Sequence, residues 1–370
     1  MKEIQLSKST ELIIINYIWI VASFPQSYLN RYYKSLEMEI KILKAGTGDS
    51  ILIHHNNFNI IVDGGNDSKY LLNEVNEIYK KDESIDLLIV THHDDDHIKG
   101  IIDLLKCIIN GDFGDKKNFI KRVIFNSPRI ILGKIVPKKD RLISYKQAHE
   151  LEELLLKTQV NWEKFTNKNE PISFADLQID FLSPYEEDLE EYVDDKRVYL
   201  SSDFKCDWKS PMQLLESYLH DKSQDKSVSN KSSVVVKIEC ENKKILLTGD
   251  VTPNRLELII NKLVEENGNN LAYFDYIKLP HHGSYRSLNK RIIEKIKCHN
   301  YIISTNGNKH FLPNKRSLLK LLKFLNRDKE KVNFIFNYEE TLDKLEITEQ
   351  EKKHYNFSII PNNQKYGISI

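Results

Sequence analysis

The stretch Thr91-His92-His93-Asp94-Asp95-Asp96-His97-Ile98-Lys99-Gly100 follows the apolar run Leu87-Leu88-Ile89-Val90 and precedes the apolar pairs Ile101-Ile102 and Leu104-Leu105. An apolar run of this length bounded by polar residues reads as a short buried strand, and the pairs beyond Gly100 recur at helical spacing. The stretch is therefore expected on a strand-to-helix loop, with the helix beginning near Ile98. In open α/β architectures such loops lie at the carboxyl edge of the sheet, where ligands bind. His92, Asp94, Asp96 and His97 crowded there would repel or desolvate one another unless a cation neutralised them, so a metal site is the economical reading. A solvated acidic loop explains His93 or Asp95 taken alone; it fits the ordered set His-x-Asp-x-Asp-His poorly.

Toward the N-terminus, Met38 to Leu43 alternates in polarity, Gly46-Thr47-Gly48-Asp49 reads as a turn, and Ser50 to Ile53 resumes the pattern, which predicts a hairpin. Phe58 to Val62 forms a further strand and closes on Asp63-Gly64-Gly65; the glycines let backbone pass close to a site that the acid faces. A helix is expected over 69–81. Toward the C-terminus, helical spacing covers 147–165, and Leu177 to Leu182 alternates as a strand. From Tyr185 to Asn230 the chain turns polar, which reads as an insertion carrying at least one helix, around 211–219, and able to cover the site. Strands at 232–238 and 244–247 follow, the second closing on Thr248-Gly249-Asp250. A helix over 253–266 leads to Tyr276-Ile277-Lys278-Leu279-Pro280, which ends in His281-His282-Gly283-Ser284. Beyond it a helix over 286–297, a strand at 301–304, a helix over 314–326, a strand at 332–336 and one or two edge strands in the last thirty residues complete the pattern. Strand ends thus deliver Asp63, the 92–97 cluster, Asp250 and the His281-His282 pair, and convergence on one edge is the simplest inference.

Composition bounds the rest. The chain has 370 residues, with Lys+Arg and Asp+Glu both 54, so whole-chain charge favours no polyanionic partner and any such surface must be local. The segment 115–146, with Lys116, Lys117, Lys121, Arg122, Arg129, Lys138, Lys139 and Arg141, is the candidate for contact with backbone phosphates, although such charge runs are commonly just solvated faces. Cys107, Cys206, Cys240 and Cys298 are scattered without a C-x-x-C pair, which fits a reducing, cytoplasmic setting and ordinary packing roles. No apolar stretch approaches the roughly 20 residues of a membrane-spanning helix; the longest, Leu12 to Phe24, is interrupted by Asn16 and is expected to pack on the domain. Residues 1–37 read as an N-terminal extension dispensable for chemistry, and 38–370 as the domain that carries every motif, with the 185–230 insertion.

With these motifs in order, GTGDSILI at 46–53, DGG at 63–65, THHDDDHIKG at 91–100, NKSSVVV at 230–236, LLTGD at 246–250, KLPHHGS at 278–284 and IST at 303–305, the chain resembles the metallo-β-lactamase fold. That fold is an α/β sandwich of αββα layers with metal-binding loops at one edge. Within it the chain is most similar to the soluble hydrolase domain of ComEC-type competence proteins, over Met38 to about Phe336. It departs from many members in having Asp94 at a frequent histidine position and in lacking an evident histidine ligand between the cluster and Asp250, for which His149 and His220 are the candidates. Leu312-Pro313 stands where a His-Pro is common, two residues after His310. The competence proteins' transmembrane segments are absent from the sequence, so the resemblance implies no part in DNA uptake.

The resemblance implies two divalent cations, zinc or manganese. Asp250 is expected to bridge them, His92 and Asp94 to serve one, and Asp96, His97 and His282 the other, with Asp96 also orienting the nucleophile. Asp63 is expected to orient a ligand rather than bind metal. His281 is assigned toward substrate, with the reverse assignment of the adjacent pair left open. Lys278, Ser284, Asn230 and Ser233 are candidates for holding substrate oxygens, or equally for structural hydrogen bonds. The leading functional expectation is a phosphodiesterase or nuclease acting on DNA or another phosphodiester. A hydrolase of a small ester, lactam, thioester or cyclic nucleotide and a non-catalytic scaffold are the alternatives, and no protein partner is identified.

Overall fold

Strands at the start of the described chain pair as the alternation of polarity directs. The computed structural model describes residues 38–114, 118–133, 145–194, 206–327 and 330–370. β1 (Glu39–Leu43), β2 (Ile51–His55) and β3 (Phe58–Val62) form an antiparallel meander. The pairing then becomes parallel, because each further connection passes through helix and a tight turn cannot join parallel neighbours. After α1 (Lys69–Lys80) comes β4 (Leu87–Val90), and after α2 (Asp95–Asn110) comes β5 (Val123–Phe125). α3 (Pro128–Leu132) and α4 (Lys146–Thr158) then lead to β6 (Trp162–Glu163).

A second sheet repeats this plan. β7 (Ile172–Phe174), β8 (Leu177–Ser183), β9 (Val235–Cys240) and β10 (Lys243–Leu247) are antiparallel, with α5 (Glu186–Asp194), α6 (Met212–Leu215) and α7 (Val228–Lys231) in the long connection before β9. After α8 (Pro253–Glu266) and β11 (Ala272–Tyr273), β12 (Tyr276–Lys278) lies parallel to β10. α9 (Lys290–Ile293) and β13 (Ile296–Lys297) precede β14 (Asn300–Ile303), and α10 (Lys315–Phe324) precedes β15 (Val332–Phe336). α11 (Glu339–Leu345) and α12 (Glu349–Tyr355) lead to β16 (Phe357–Ile360), and the chain ends with β17 (Gly367–Ser369) paired to β1. The result is a 7-stranded sheet ordered β17-β1-β2-β3-β4-β5-β6 and an 8-stranded sheet ordered β16-β15-β14-β12-β10-β9-β8-β7.

Each sheet is buried on both faces, and the two faces do different things. Leu52, Ile61, Leu88 and Val90 pack on Leu71, Val75, Ile98, Ile101 and Leu105 of α1 and α2. Val235, Leu246, Ile277, Ile303 and Phe334 pack likewise on Leu256, Ile260, Leu318 and Leu322 of α8 and α10. The alternate residues, Ile40, Ile53, Ile60 and Ile89 in one sheet and Ile179, Ile238, Ile302 and Ile335 in the other, are at most 2% exposed and fill the space between sheets. Polar bonds also cross between the halves, from Ser304 Oγ to the Gly48 carbonyl (3.1 Å) and from Asn337 Nδ2 to the Leu43 carbonyl (2.7 Å). Helices cover both outer faces, giving the αββα layering.

Several boundaries differ from the pattern read in the sequence, each for a local reason. α2 starts at Asp95 rather than near Ile98, because Asp94 takes the extended N-cap conformation (ψ 146°) and Asp95 and Asp96 occupy the first turn. Carboxylates there are favoured by the helix dipole. Asp96 and His97 therefore ride on helix. The 147–165 helix stops at Thr158, where Gln159 turns left-handed (φ 57°). Where a helix over 286–297 was expected, Tyr285–Ser287 forms a separate 3-10 turn and α9 covers only Lys290–Ile293. The insertion read as carrying at least one helix, around 211–219, holds α6 there and also α5 and α7. β16 and β17 take one edge of each sheet. The apolar stretch 12–24 lies outside the described residues.

Candidate metal centre

The carboxyl ends of β3, β4, β10 and β12 meet at one edge. β3 delivers Asp63, β4 leads through Thr91 and His92 into the first turn of α2, β10 leads to Asp250, and β12 leads to His281 and His282. Both of these histidines have left-handed backbone (φ 48° and 52°), a conformation that costs non-glycine residues free energy and persists where the surroundings over-determine it. Here the His281 amide donates to the Gly249 carbonyl and the Ser284 amide to the His281 carbonyl. α2 is set against β3 by close backbone contact: the Gly64 amide donates to the His97 carbonyl and the Gly100 amide to the Gly65 carbonyl, both at 2.8 Å. A Cβ on Gly100 would stand 2.0 Å from the Gly64 oxygen, so this crossing admits only glycine.

At the centre, Asp49, His97, Asp250 and His282, all buried, present ligand atoms within 4.8 Å of one another. His97 Nε2 lies 3.3 Å from Asp250 Oδ1, and His282 Nε2 lies 3.4 Å from both Asp250 Oδ2 and Asp96 Oδ2. His92 joins at the side, its ring 4.2 Å from that of His97 and its Nε2 3.8 Å from Asp94 Oδ2. In each of these three histidines the other ring nitrogen is engaged. Nδ1 of His97 meets Asp63 Oδ2 at 2.7 Å, Nδ1 of His282 donates to the Ser304 carbonyl at 2.9 Å, and Nδ1 of His92 meets Thr91 Oγ1 at 3.0 Å. The Nε2 atoms of all three, with Asp49 Oδ1 and Asp250 Oδ1, are buried and make no hydrogen bond among the described residues. Imidazoles whose Nδ1 is fixed and whose Nε2 is free are set up as ligands, and buried polar atoms without partners are costly unless something else meets them. The donor set fits a divalent metal.

Electrostatics around the cluster point the same way. Burial alone would lower His97, but Asp250 and Asp63 hold it well above the usual imidazole range. His282 is likewise raised by Asp250 and Asp49 against the effect of burial. His92, with burial and the neighbouring His97 both acting against its charge, is lowered. Burial would push Asp49 up; Lys278 and His282 outweigh it and hold the carboxyl at about 2. Asp96 is driven below the usual carboxylate range by the neighbouring His282 and His97, again against burial. Anionic acids facing imidazoles whose charge they stabilise form a site in which a cation can replace protons.

Asp63 takes no place among the facing donors. Its Oδ1 accepts from the Thr91 amide (2.8 Å) and its Oδ2 from Thr91 Oγ1 (2.6 Å), besides meeting His97. Lys278 is fully buried, forms an ion pair with Asp49, donates to the Gly249 carbonyl at 3.0 Å and stands 3.6 Å from Asp250 Oδ1. Its ammonium neutralises buried acid and does not line the cavity described below. Ser233 is also 0% exposed and away from that cavity. Asp49, read in the sequence as part of a turn, is the member that pattern reading missed. Its signal was an acid closing a glycine-rich turn between two apolar strands.

A cavity of about 610 Å³ opens beside the centre, lined by Asp94, Asp96, Asp250, Asn230, His281, Ser284, Arg286, His310 and residues 222–227 among others. His281 faces it. Its Nδ1 is 3.0 Å from Asp225 Oδ2, which also accepts from Asn230 Nδ2 at 2.7 Å, and its Nε2 is 3.8 Å from Asp250 Oδ2. Asp94 Oδ1 accepts from Ser229 Oγ at 2.8 Å. Asp225 and Ser229 come from the long connection before β9, where the sequence showed only a polar insertion. His93 packs between Tyr145 and Tyr192. His149 pairs with Glu152 on α4 at 3.1 Å, and His220 is exposed, so neither joins the cluster. Of the basic segment, Lys121 pairs with Asp86, Arg122 with Glu163, and Arg129 stacks on Trp162. Lys116, Lys117, Lys138, Lys139 and Arg141 lie outside the described residues. Among the described residues no helix is long and apolar enough to cross a membrane.

Residues 43–115, from the end of β1 through α2 and including THHDDDHIKG, match the family model of the metallo-beta-lactamase superfamily. With the layered sandwich and the edge-on His/Asp cluster, the match defines the class: a metallo-β-lactamase fold with a candidate metal-binding centre. Solved structures that align include the metallo-beta-lactamase fold protein YhfI from Bacillus subtilis, at 11% identity and TM-score 0.42 over 90% of this chain and 98% of that one. Zn(2+)-bound PqqB from Methylobacterium extorquens aligns at 11% identity and TM-score 0.41, over 90% and 99%. A diphosphatase from the PhnP family does so at 11% and 0.40, over 90% and 97%. No curated protein matches the chain.

Proposed function

We propose that this chain is a metal-dependent hydrolase that cleaves phosphodiesters, with nucleic acid as the substrate class and two divalent cations, zinc or manganese, as cofactor. The observation that carries the reading is the set of buried, unbonded donors on His92, His97, His282, Asp49 and Asp250 beside a cavity that Asp94, Asp96 and Asp250 also reach. In this reading His92 and Asp94 would hold one cation and Asp96, His97 and His282 the other, with Asp250 shared between them. When bound, the cations supply Lewis acidity for a phosphoryl oxygen and a nucleophile near neutral pH. The carboxylate share of the donor set makes it harder than an all-imidazole site, so manganese competes with zinc.

The protein's own groups do the positioning. Asp63 fixes the ring of His97 through Nδ1, and Thr91 braces Asp63. Lys278 offsets the charge of Asp49 and Asp250 from beneath. His281, its charge favoured by Asp250 and Asp225 against the effect of burial, presents a cationic ring to the cavity, where negative charge builds on a phosphoryl group. Asn230 and Ser284, both at the cavity wall, would meet substrate oxygens in this reading. Lys222, Lys226 and Arg286 on the same wall favour an anionic substrate.

The cavity volume favours a second reading, since about 610 Å³ is of the size that holds a small molecule. A small ester, lactam, thioester or cyclic nucleotide would then be the substrate. The test is hydrolysis of DNA, RNA and bis(p-nitrophenyl) phosphate by purified protein with manganese, zinc or magnesium. A nuclease should bind DNA with an affinity that falls steeply with salt, by a slope of about −0.9 per phosphate contact. Changing Lys138, Lys139 and Arg141 together to Ser should flatten that dependence and leave the small diester unaffected. Absence of DNA binding at low salt, with the triple variant silent on every substrate, would favour the small-molecule reading.

A further inference from the structure

At the edge of the sandwich away from this centre, three two-residue hairpin turns lie together. Asn56-Asn57 joins β2 to β3, Ala175-Asp176 joins β7 to β8, and Glu241-Asn242 joins β9 to β10. β3 and β10 run from these turns toward Asp63 and Asp250, so the turns mark the far end of both sheets. His55 closes β2 in one sheet, Cys240 closes β9 in the other, and Asp176 stands at the tip of the β7–β8 turn. We propose that His55, Asp176 and Cys240 form a second metal site, taking one borderline-soft divalent cation of the zinc class and fastening the two sheets at this edge.

The geometry supports a shared ion. The three residues offer ligand atoms within 4.8 Å of one another. Cys240 Sγ lies 3.8 Å from either ring nitrogen of His55 and 3.9 Å from Asp176 Oδ2. A tetrahedral zinc ion with ordinary bond lengths sets its nitrogen, oxygen and sulfur donors about 3.3–3.6 Å apart, so the separations from the sulfur exceed those of a bound set by only a few tenths of an ångström. His55 Nε2 and Asp176 Oδ1, hydrogen-bonded at 2.6 Å, must open by less than an ångström. Asp176 can move, because its side chain is 52% exposed at a turn tip, whereas that of His55 is 0% exposed. Two anchored donors and one adaptable one suit entry of an ion from solvent.

Donor type selects the ion. A thiolate and an imidazole favour zinc-class metals over calcium or magnesium, which take oxygen ligands, and three protein donors leave one position for water. Without metal, burial and then Asp176 push the Cys240 thiol up to about 11, so it stays protonated. Binding therefore releases the thiol proton to solvent as the sulfur–metal bond forms.

Cobalt(II) tests this site separately from the other, whose donors include no sulfur. Full-length protein stripped with chelator and titrated with cobalt should develop near-ultraviolet thiolate-to-cobalt absorption, which zinc then displaces. Cys240→Ser should abolish that absorption and lower bound metal by one equivalent per chain. Asp176→Asn, at an exposed turn and with circular dichroism as the check on folding, should weaken cobalt binding at this site roughly 10-fold or more, because even outer partners of a ligand contribute that much. Wild-type protein without the absorption would overturn the assignment, and so would absorption that persists undiminished in Cys240→Ser.

Discussion

Lys278 and Asp49 show how a residue's role depends on contacts that lie far apart in the chain. The lysine sits on a strand and the acid in a turn, and nothing in the sequence pairs them. Packing brings them together beneath Asp250, both with side chains at most 3% exposed. A buried cation beside two acids is stable only as part of the set, since removing one partner of a buried pair leaves an uncompensated charge. Lys278→Met should therefore lower the stability of metal-free protein by about 3–5 kcal/mol, read from urea unfolding, with part of the loss recovered on adding metal. A loss below about 1 kcal/mol would show that Lys278 is not needed to balance these carboxylates. The site histidines were legible because they cluster at strand ends. Asp49 was not, because acids in glycine-rich turns are ordinary and only its burial sets it apart.

At the scale of elements, α2 is the part whose placement matters most, since it carries Asp96 and His97 in its first turn. Its start was misjudged because the apolar period begins at Ile98, while the helix begins with a cap and two acids that carry no apolar signal. The Gly64–Gly100 crossing holds it against β3. In Gly100→Ala the added Cβ meets the Gly64 oxygen, and relief requires α2 to move away from the strand. The expected outcome is a stability loss of about 1–3 kcal/mol together with weaker metal binding at the His97 end, measured by thermal unfolding and metal titration. Unchanged metal affinity would mean that the crossing serves packing alone. The strands flanking the centre were readable from period and from their acid or glycine endings. The connection 184–234 was not, because it has no regular period, and so Asp225 and Ser229 came to light only where it folds back over His281 and Asp94.

Across the whole molecule, two sheets of similar plan stack their apolar faces and bring strand ends from both to one edge. Asp63, His92 and His97 come from the first sheet, and Asp250 and His282 from the second. The centre is therefore a product of sheet packing, and formal net charge, which is zero, has no bearing on it. The proposed Cys240 site would join the same sheets at the opposite edge. The central claim is that these donors bind metal and that hydrolysis depends on it. The most direct measurement compares metal content and bis(p-nitrophenyl) phosphate turnover in wild-type protein and Asp250→Ala, each stripped and reconstituted, with circular dichroism as the check on folding. The account predicts that Asp250→Ala keeps its fold and loses edge-site metal and turnover together. Full turnover in that variant with undiminished metal content would contradict it.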